Sequence, residues 1–234
     1  MSKVVFISGG SRGIGAATVL RFAREKFDIA FTYNEGQGEA SAVAEKAKSL
    51  GSPEVLTMRL DMENDENIRN VVKIAHEKFG KIDILINNAG TFERGTLSEQ
   101  TFAVIHRQIA ANLEGMIKLT HEFLPYVKEA IINIASVVGF LGKPRISVYT
   151  ATKWGVRGFT KSLAREYPDL RIYVVNPGLT DTRMGRPEGM PAEKVAETIF
   201  DAATGKRRLA SGSDIAVKSN LYFLKSLMKK LLGR

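Results

Sequence analysis

One doubly wound parallel sheet, covered by helices on both faces, is the architecture implied by the order of segments in this 234-residue chain. Three observations carry that α/β assignment. Short apolar runs alternate with helix-patterned stretches along most of the length. The runs are continuously apolar rather than alternating, as expected of strands buried on both sides. Glycine-rich and polar clusters follow directly after strands, at the edge of the sheet where α/β folds bind their ligands.

The elements read in order as follows. KVVFIS (3–8) is a β-branched run that ends at glycines, and a helical pattern runs from Gly13 to about Glu25. IAFTY (29–33) is the second strand. The helix from Gln37 to Leu50 spaces Ala40, Val43, Ala44 and Ala47 on one face and stops at Gly51. EVLTMRLD (54–61) is the third strand. The helix over 64–79 aligns Ile68, Val71, Val72, Ala75 and Phe79 and stops at Gly80. IDILIN (82–87) is the fourth strand, and a long helical stretch covers 98–127. IINIAS (131–136), a helix over 148–166 and RIYVVN (171–176) follow, and PAEKVAETIFDAAT begins another helix.

A chain of this size builds one core, since single cores grow to roughly 250 residues before splitting. With no cysteine present, disulfides, thiol catalysis and Cys-ligated zinc are excluded. His76, His106 and His121 lie in helix-like segments without ligand spacing, so no metal is expected. The first apolar run is too short for a signal peptide, and no stretch reaches the ~20 apolar residues of a membrane span. A cytoplasmic location is the expectation. The net charge of +9 is unevenly spread: residues 205–234 hold eight basic residues and one acid, whereas the first 204 hold 26 basic and 24 acidic. The near-neutral body has no basic reading element, so nucleic acid is not an expected partner.

Ser8-Gly9-Gly10-Ser11-Arg12-Gly13-Ile14-Gly15 joins a strand to a helix. Glycines there allow a tight turn and close approach of backbone to phosphate, and the helix N-terminus offers free N–H groups. Gly9, Ser11, Arg12, Gly13, Ile14 and Gly15 are the candidate phosphate contacts of a dinucleotide. The spacing is Gly-x-x-x-Gly-x-Gly, and no Gly-Lys-Ser/Thr of an NTP-hydrolysing loop is present. At the end of the second strand, where an acid ordinarily takes the ribose hydroxyls of NAD, the chain reads Thr32-Tyr33-Asn34. No carboxylate at Thr32 repels an extra phosphate and Arg12 can pair with one, which favours NADP(H) over NAD(H). Glu35 is the opposing signal.

VYTATKWG (148–155) sets Tyr149 four residues before Lys153, one turn apart on a helix. A free phenol, with a pKa of ~10, exchanges protons poorly near neutrality, and a nearby cation is expected to lower that value. Ser136 ends the fifth strand on the same edge of the sheet, and Asn112 interrupts an otherwise apolar helix. These four are the candidate catalytic residues.

SGGSRGIG, Asp61, NNAG (87–90), Asn112, Ser136, YTATK (149–153) and PGLTDT (177–182) occur in that order, with 13 residues from Ser136 to Tyr149. Together they resemble the short-chain dehydrogenase/reductase family, most of all its 3-oxoacyl-(acyl-carrier-protein) reductase type, from Lys3 to about Met184. The resemblance implies a single-domain Rossmann-like body, 1–204, that binds the dinucleotide and carries catalysis. It implies Asp61 at the adenine with Met62 beside it, and Asn88, Ala89 and Gly90 along the adenosine ribose and the middle of the cofactor. Pro177, Gly178, Thr180 and Thr182 would fix the nicotinamide carboxamide. Lys153 would also bond the nicotinamide ribose beside Tyr149, and Asn112 would anchor a relay water. Each has a structural alternative: Asp61 as a helix cap, Asn87 as a link between strands, Thr182 as a cap. The implied activity is hydride exchange between NADP(H) and a small-molecule or carrier-bound carbonyl, 3-oxoacyl thioesters included, in a homo-oligomer (dimer or tetramer). A non-catalytic NADP(H) sensor is the alternative, against which the intact four-residue set stands.

After Met184 the resemblance fades. Only about Gly185 to Met190 remains where the family has a long lid, and the family's closing strand with its Val-Asp-Gly-Gly ending is absent. Residues 205–234 read as a basic extension, part of the same domain or a docking tail. Leu221, Leu224, Leu227, Met228, Leu231 and Leu232 share one helical face there. That face can dock on the body or a sister subunit, lie on an anionic membrane surface, or meet an acidic partner.

Overall fold

Val4–Ile7 (β1) is buried at every position, and so is Ile82–Asn87 (β4), its neighbour in the sheet. Strands of that kind need cover on both faces. The computed structural model, which describes residues 2–185 and 187–217, supplies it. Around β1 and β4 lie Asp28–Tyr33 (β2), Val55–Arg59 (β3), Val127–Ile134 (β5), Arg171–Pro177 (β6) and Asp214–Val217 (β7). The order is β3-β2-β1-β4-β5-β6-β7, and every pairing is parallel. The doubly wound sheet of the sequence reading is the observed fold. The order reverses between β1 and β4, so their carboxyl ends open the crevice where ligands bind in such sheets.

Helices Gly13–Ala23 (α1), Gln37–Ser49 (α2) and Ala192–Ala203 (α8) cover one face, with Val19, Phe22, Phe31, Ile199 and Phe200 in their core. Asp65–Phe79 (α3), Gly115–Phe123 (α5) and Ser147–Glu166 (α7) cover the other, around Phe6, Ile68, Leu85, Leu119 and Phe123. Phe102–Ile109 (α4) precedes α5, and Val138–Leu141 (α6) is a single turn after β5. Among the described residues no helix is long and apolar enough to cross a membrane.

Three expectations are corrected. The 98–127 stretch is not one helix: Thr101 caps α4 by accepting from Val104 N, a π turn spans Ala110–Glu114, and α5 follows. Pro125 stands just past the C-cap of α5, and the fifth strand starts at Val127 rather than at Ile131. A closing strand exists. β7 lacks the Val-Asp-Gly-Gly ending but pairs with β6 from Val174↔Asp214 to Pro177↔Val217, burying Ile215 and Val217. The amphipathic tail read over 221–232 lies outside the described residues.

Candidate active site

Ser8, at the end of β1, holds the first part of the site together. Its hydroxyl accepts the backbone N–H groups of Asn88 and Ala89, both at 3.0 Å, and Asn88 Nδ2 donates back to the carbonyls of Ser8 and Gly9 at 3.0 and 2.9 Å. The glycine loop is thereby fixed to the segment after β4. Thr32 supports the loop from behind: its hydroxyl accepts Gly9 N–H at 3.2 Å and its carbonyl accepts Gly10 N–H at 2.7 Å. Gly15 is forced by packing, since a Cβ there would fall 1.9 Å from Gly9 O. Gly9 and Gly13 have φ of +70° and +54°, the left-handed region where a side chain is strained.

No side chain caps α1. Arg12 is its N-cap residue, extended and exposed, and offers no cap of its own. An uncapped helix N-terminus beside positive-φ glycines suits a pyrophosphate, so the residues present fit a dinucleotide. Tyr33 is half-buried and Asn34 exposed at the end of β2, while Thr32 is buried. Asp61 lies at the head of the turn leading to α3, where its Oδ1 accepts Glu63 N–H at 3.0 Å; the helix cap itself is Asn64. Met62 places its side chain in the core rather than in the crevice. Asn87 is the link between strands, donating to Asn133 Oδ1 and Thr120 Oγ1, both at 2.8 Å.

The segments that carry the candidate residues adjoin one another. A Cβ at Gly13 would stand 3.1 Å from Thr182 Cγ2, one at Gly9 2.9 Å from Ala89 Cα, and one at Gly90 2.8 Å from Asn112 Oδ1 and 3.9 Å from Lys153 Nζ. Thr180 donates to Gly178 O, and Thr182 accepts Gly185 N–H, both at 3.0 Å. The segment after β6 folds back through a bridge between Thr180 and Met190, and a Cβ at Gly189 would meet Thr180 C at 2.3 Å. The lid is short and tied down.

Asn112 occupies the π turn, a rare helical defect that recurs at functional sites. Its Oδ1 accepts Thr91 N–H at 2.6 Å and its Nδ2 donates to Thr91 O at 2.8 Å, so the turn grips the loop after β4. Lys153 Nζ donates to Ile134 O at 3.0 Å and lies 5.5 Å from the centre of the Tyr149 ring. The Ser136 hydroxyl stands beside the Tyr149 phenol and favours its ionised form. Phe92 sets its ring edge-on to Tyr149 at 4.9 Å and 85°.

The expected acidification of Tyr149 by Lys153 is reversed. Burial pushes the phenol up to about 12, with the neighbouring Ser136 hydroxyl pulling only partly back. Burial also pushes the Lys153 ammonium down to about 8. Both charged forms lose their water, and the ammonium stands over the ring and is held by a main-chain carbonyl rather than by the phenol oxygen. Sequence reading missed Ser8 as a site residue, although it was visible as the hydroxyl opening the glycine loop.

Residues 3–191 match the family model described as short chain dehydrogenase. The chain belongs to this family. Among its curated relatives is the 3-oxoacyl-[acyl-carrier-protein] reductase FabG of Staphylococcus epidermidis, 30% identical over 244 aligned positions that cover 95% of this chain and 100% of the relative. The chloroplastic NADPH-dependent aldehyde reductase 1 of Arabidopsis thaliana is 33% identical, covering 95% and 79%. A short chain dehydrogenase from Burkholderia cenocepacia J2315, solved in complex with NADP, superposes with a TM-score of 0.87 at 29% identity, covering 92% of this chain and 96% of the other. This short-chain dehydrogenase is an NAD(P)-dependent oxidoreductase acting on CH–OH or carbonyl groups.

Proposed function

We propose that the chain is an NADP(H)-dependent reductase of partly apolar carbonyl compounds, 3-oxoacyl thioesters among them. The observation that carries this reading is the meeting of Ser136, Tyr149, Lys153 and Asn112 at the crevice that begins at the uncapped N-terminus of α1. NADP(H), when bound, supplies or takes up the hydride. Gly9, Ser11, Gly13, Ile14 and Gly15 would hold its pyrophosphate, with Arg12 on the additional phosphate. Tyr33, Asn34, Asp61 and the backbone at Met62 would line the adenosine end, with Thr32 positioning the loop. Asn88, Ala89 and Gly90 would line the middle, and Pro177, Gly178, Thr180 and Thr182 the nicotinamide end.

Ser136 orients the substrate oxygen toward Tyr149, and Tyr149 delivers the proton. A phenol held up to about 12 keeps its proton throughout the physiological range, which is the form that reduction requires and oxidation does not. Lys153, fixed by Ile134 O, resupplies charge and protons from inside, and Asn112 shapes the path beside Gly90. The apolar Phe140, Leu141, Leu179 and Met184, exposed on segments that follow Ser136 and Pro177, support a partly hydrophobic substrate. NADP(H) is favoured by Arg12 and by the absence of an acid at Thr32, in keeping with the NADP-bound and NADPH-dependent relatives. Exposed Phe102 on α4 and Trp154 on α7 support a homo-oligomer.

The test is a cofactor-oxidation assay with 3-oxoacyl thioesters, diketones, quinones and aldehydes, run with NADPH and with NADH. Tyr149→Phe is expected to bind NADPH as the wild type does and to lose turnover by roughly 100- to 10,000-fold. An unimpaired Tyr149→Phe enzyme would remove the proposed acid.

A further inference from the structure

Arg157, one turn beyond Lys153 on α7, is almost buried and fully engaged. Its Nε and Nη2 form a fork on Asp214 of β7 at 2.7 and 3.0 Å, and its Nη1 donates to Gly139 O in α6 at 2.6 Å. Its guanidinium lies 3.7 Å from the centre of the Phe140 ring. Neither Arg157 nor Asp214 is among the residues assigned above to substrate or cofactor. What they reach is Ser136, from two directions.

The first direction runs through α6. Gly139 N–H donates to Ser136 O at 2.9 Å, so the residue whose carbonyl Arg157 grips closes, through its N–H, the turn beginning at Ser136. That turn is pressed against α7, since a Cβ at Gly139 would stand 3.1 Å from Lys153 O and 3.2 Å from Arg157 Cδ. The second direction runs through β6. Asp214 Oδ1 accepts Asn176 Nδ2 at 3.1 Å, and the next residue, Pro177, offers its carbonyl to Val137 N–H at 3.0 Å and to the Ser136 hydroxyl at 3.5 Å. One ion pair thus fixes both the backbone turn that carries Ser136 and the carbonyl against which its hydroxyl rests.

We infer that the Arg157–Asp214 pair positions Ser136 for the reaction, holding its hydroxyl in the orientation that meets Tyr149 and the substrate oxygen. This rests on the reductase reading above. A bidentate guanidinium–carboxylate contact sets direction as well as distance, which a lysine in the same place does not. Lys161 also approaches Asp214, at 2.8 Å, but from the exposed side and without touching α6.

The experiment compares Arg157→Met, Arg157→Lys and Ser136→Ala, alone and combined, with Arg171→Met as a control at the amino end of β6, away from Ser136. Arg171 pairs with Glu129 at 2.9 Å and takes no part in the site. Both Arg157 variants should fold by circular dichroism and bind NADPH within about 2-fold of wild type, with kcat on a 3-oxoacyl N-acetylcysteamine thioester down roughly 10- to 100-fold, the scale of a small misplacement. In a Ser136→Ala background the Arg157 change should add less than about 2-fold, because the two act through one hydroxyl. Arg171→Met should keep kcat while losing melting temperature. A folded Arg157→Lys enzyme with wild-type kcat, beside an impaired Ser136→Ala enzyme, overturns the role of the pair alone. So does a full additional loss on top of Ser136→Ala. Wild-type kcat in Ser136→Ala overturns the reading of Ser136 itself and the inference with it.

Discussion

At the scale of single residues, the ionisation of Lys153 is the property with the clearest consequence outside catalysis. Its ammonium is buried and held down to about 8, against an ordinary value of 10.5. Below pH 8 both folded and unfolded chains carry the proton, so the cost of burying the charge is present in full. Between 8 and 10.5 the folded chain sheds the proton that the unfolded chain keeps, and stability rises with pH. Tyr149 acts oppositely above its ordinary value of 10.0, because the folded chain retains its proton to about 12. The gain is therefore confined to roughly pH 8–10. Relative to Lys153→Met, the wild type should gain about 2 kcal/mol between pH 7.5 and 9.5. Urea denaturation midpoints of the two proteins at both pH values measure this, and parallel curves would show that the ammonium is hydrated in the folded state. The motif that holds these residues was legible because Ser136, Tyr149 and Lys153 stand at set intervals along the chain and Asn112 interrupts an apolar helix. Their ionisation was not, because an interval of four says nothing of how much water remains at either end.

At the scale of elements, the π turn at Ala110–Glu114 decides where the loop after β4 lies. Asn112 satisfies both main-chain groups of Thr91, and its side chain is 1% exposed. Asn112→Ala leaves that N–H and C=O without their side-chain partner in a part-buried place, a cost of about 1 kcal/mol. The expected result is a lower denaturation midpoint together with faster hydrogen exchange at the Thr91 amide, while α3 and β3 keep their protection. Unchanged exchange at Thr91 would mean the loop is held by other contacts. Helix existence in this region was readable from the apolar pattern. The interruption was only half readable: an asparagine in an apolar helix marked the place, but the wider turn depends on Gly115, where a Cβ would meet Met62 O at 2.2 Å. Close approach of two chain segments 53 positions apart leaves no trace in local periodicity.

At the scale of the whole molecule, the question is where the sheet ends. The charge shift after Thr204 sets residues 205–234 apart in composition, yet the chain returns at Asp214 to pair with β6 and to meet Arg157. β7 is only four residues long and one of them is exposed, too little apolar pattern to stand out in sequence. Its contribution lies in the ion pair as much as in its apolar side chains. Burial raises the Asp214 carboxyl, but the bonds from Arg157 and Lys161 outweigh it and hold the group at about 2. Its stabilising effect is present above the ordinary value of 3.8 and is lost as pH falls through about 2. A chain ending at Thr204 removes the counter-ion of Arg157 together with Ile215 and Val217 of the core. The full chain is expected to unfold in a single urea transition, and the 1–204 chain to lose most of that stability or to remain unfolded. Asp214→Asn, which keeps the strand but weakens the fork, should fall between them. A 1–204 chain with the full-length midpoint would mean that the fold is complete at β6 and that β7 rests on it without supporting it.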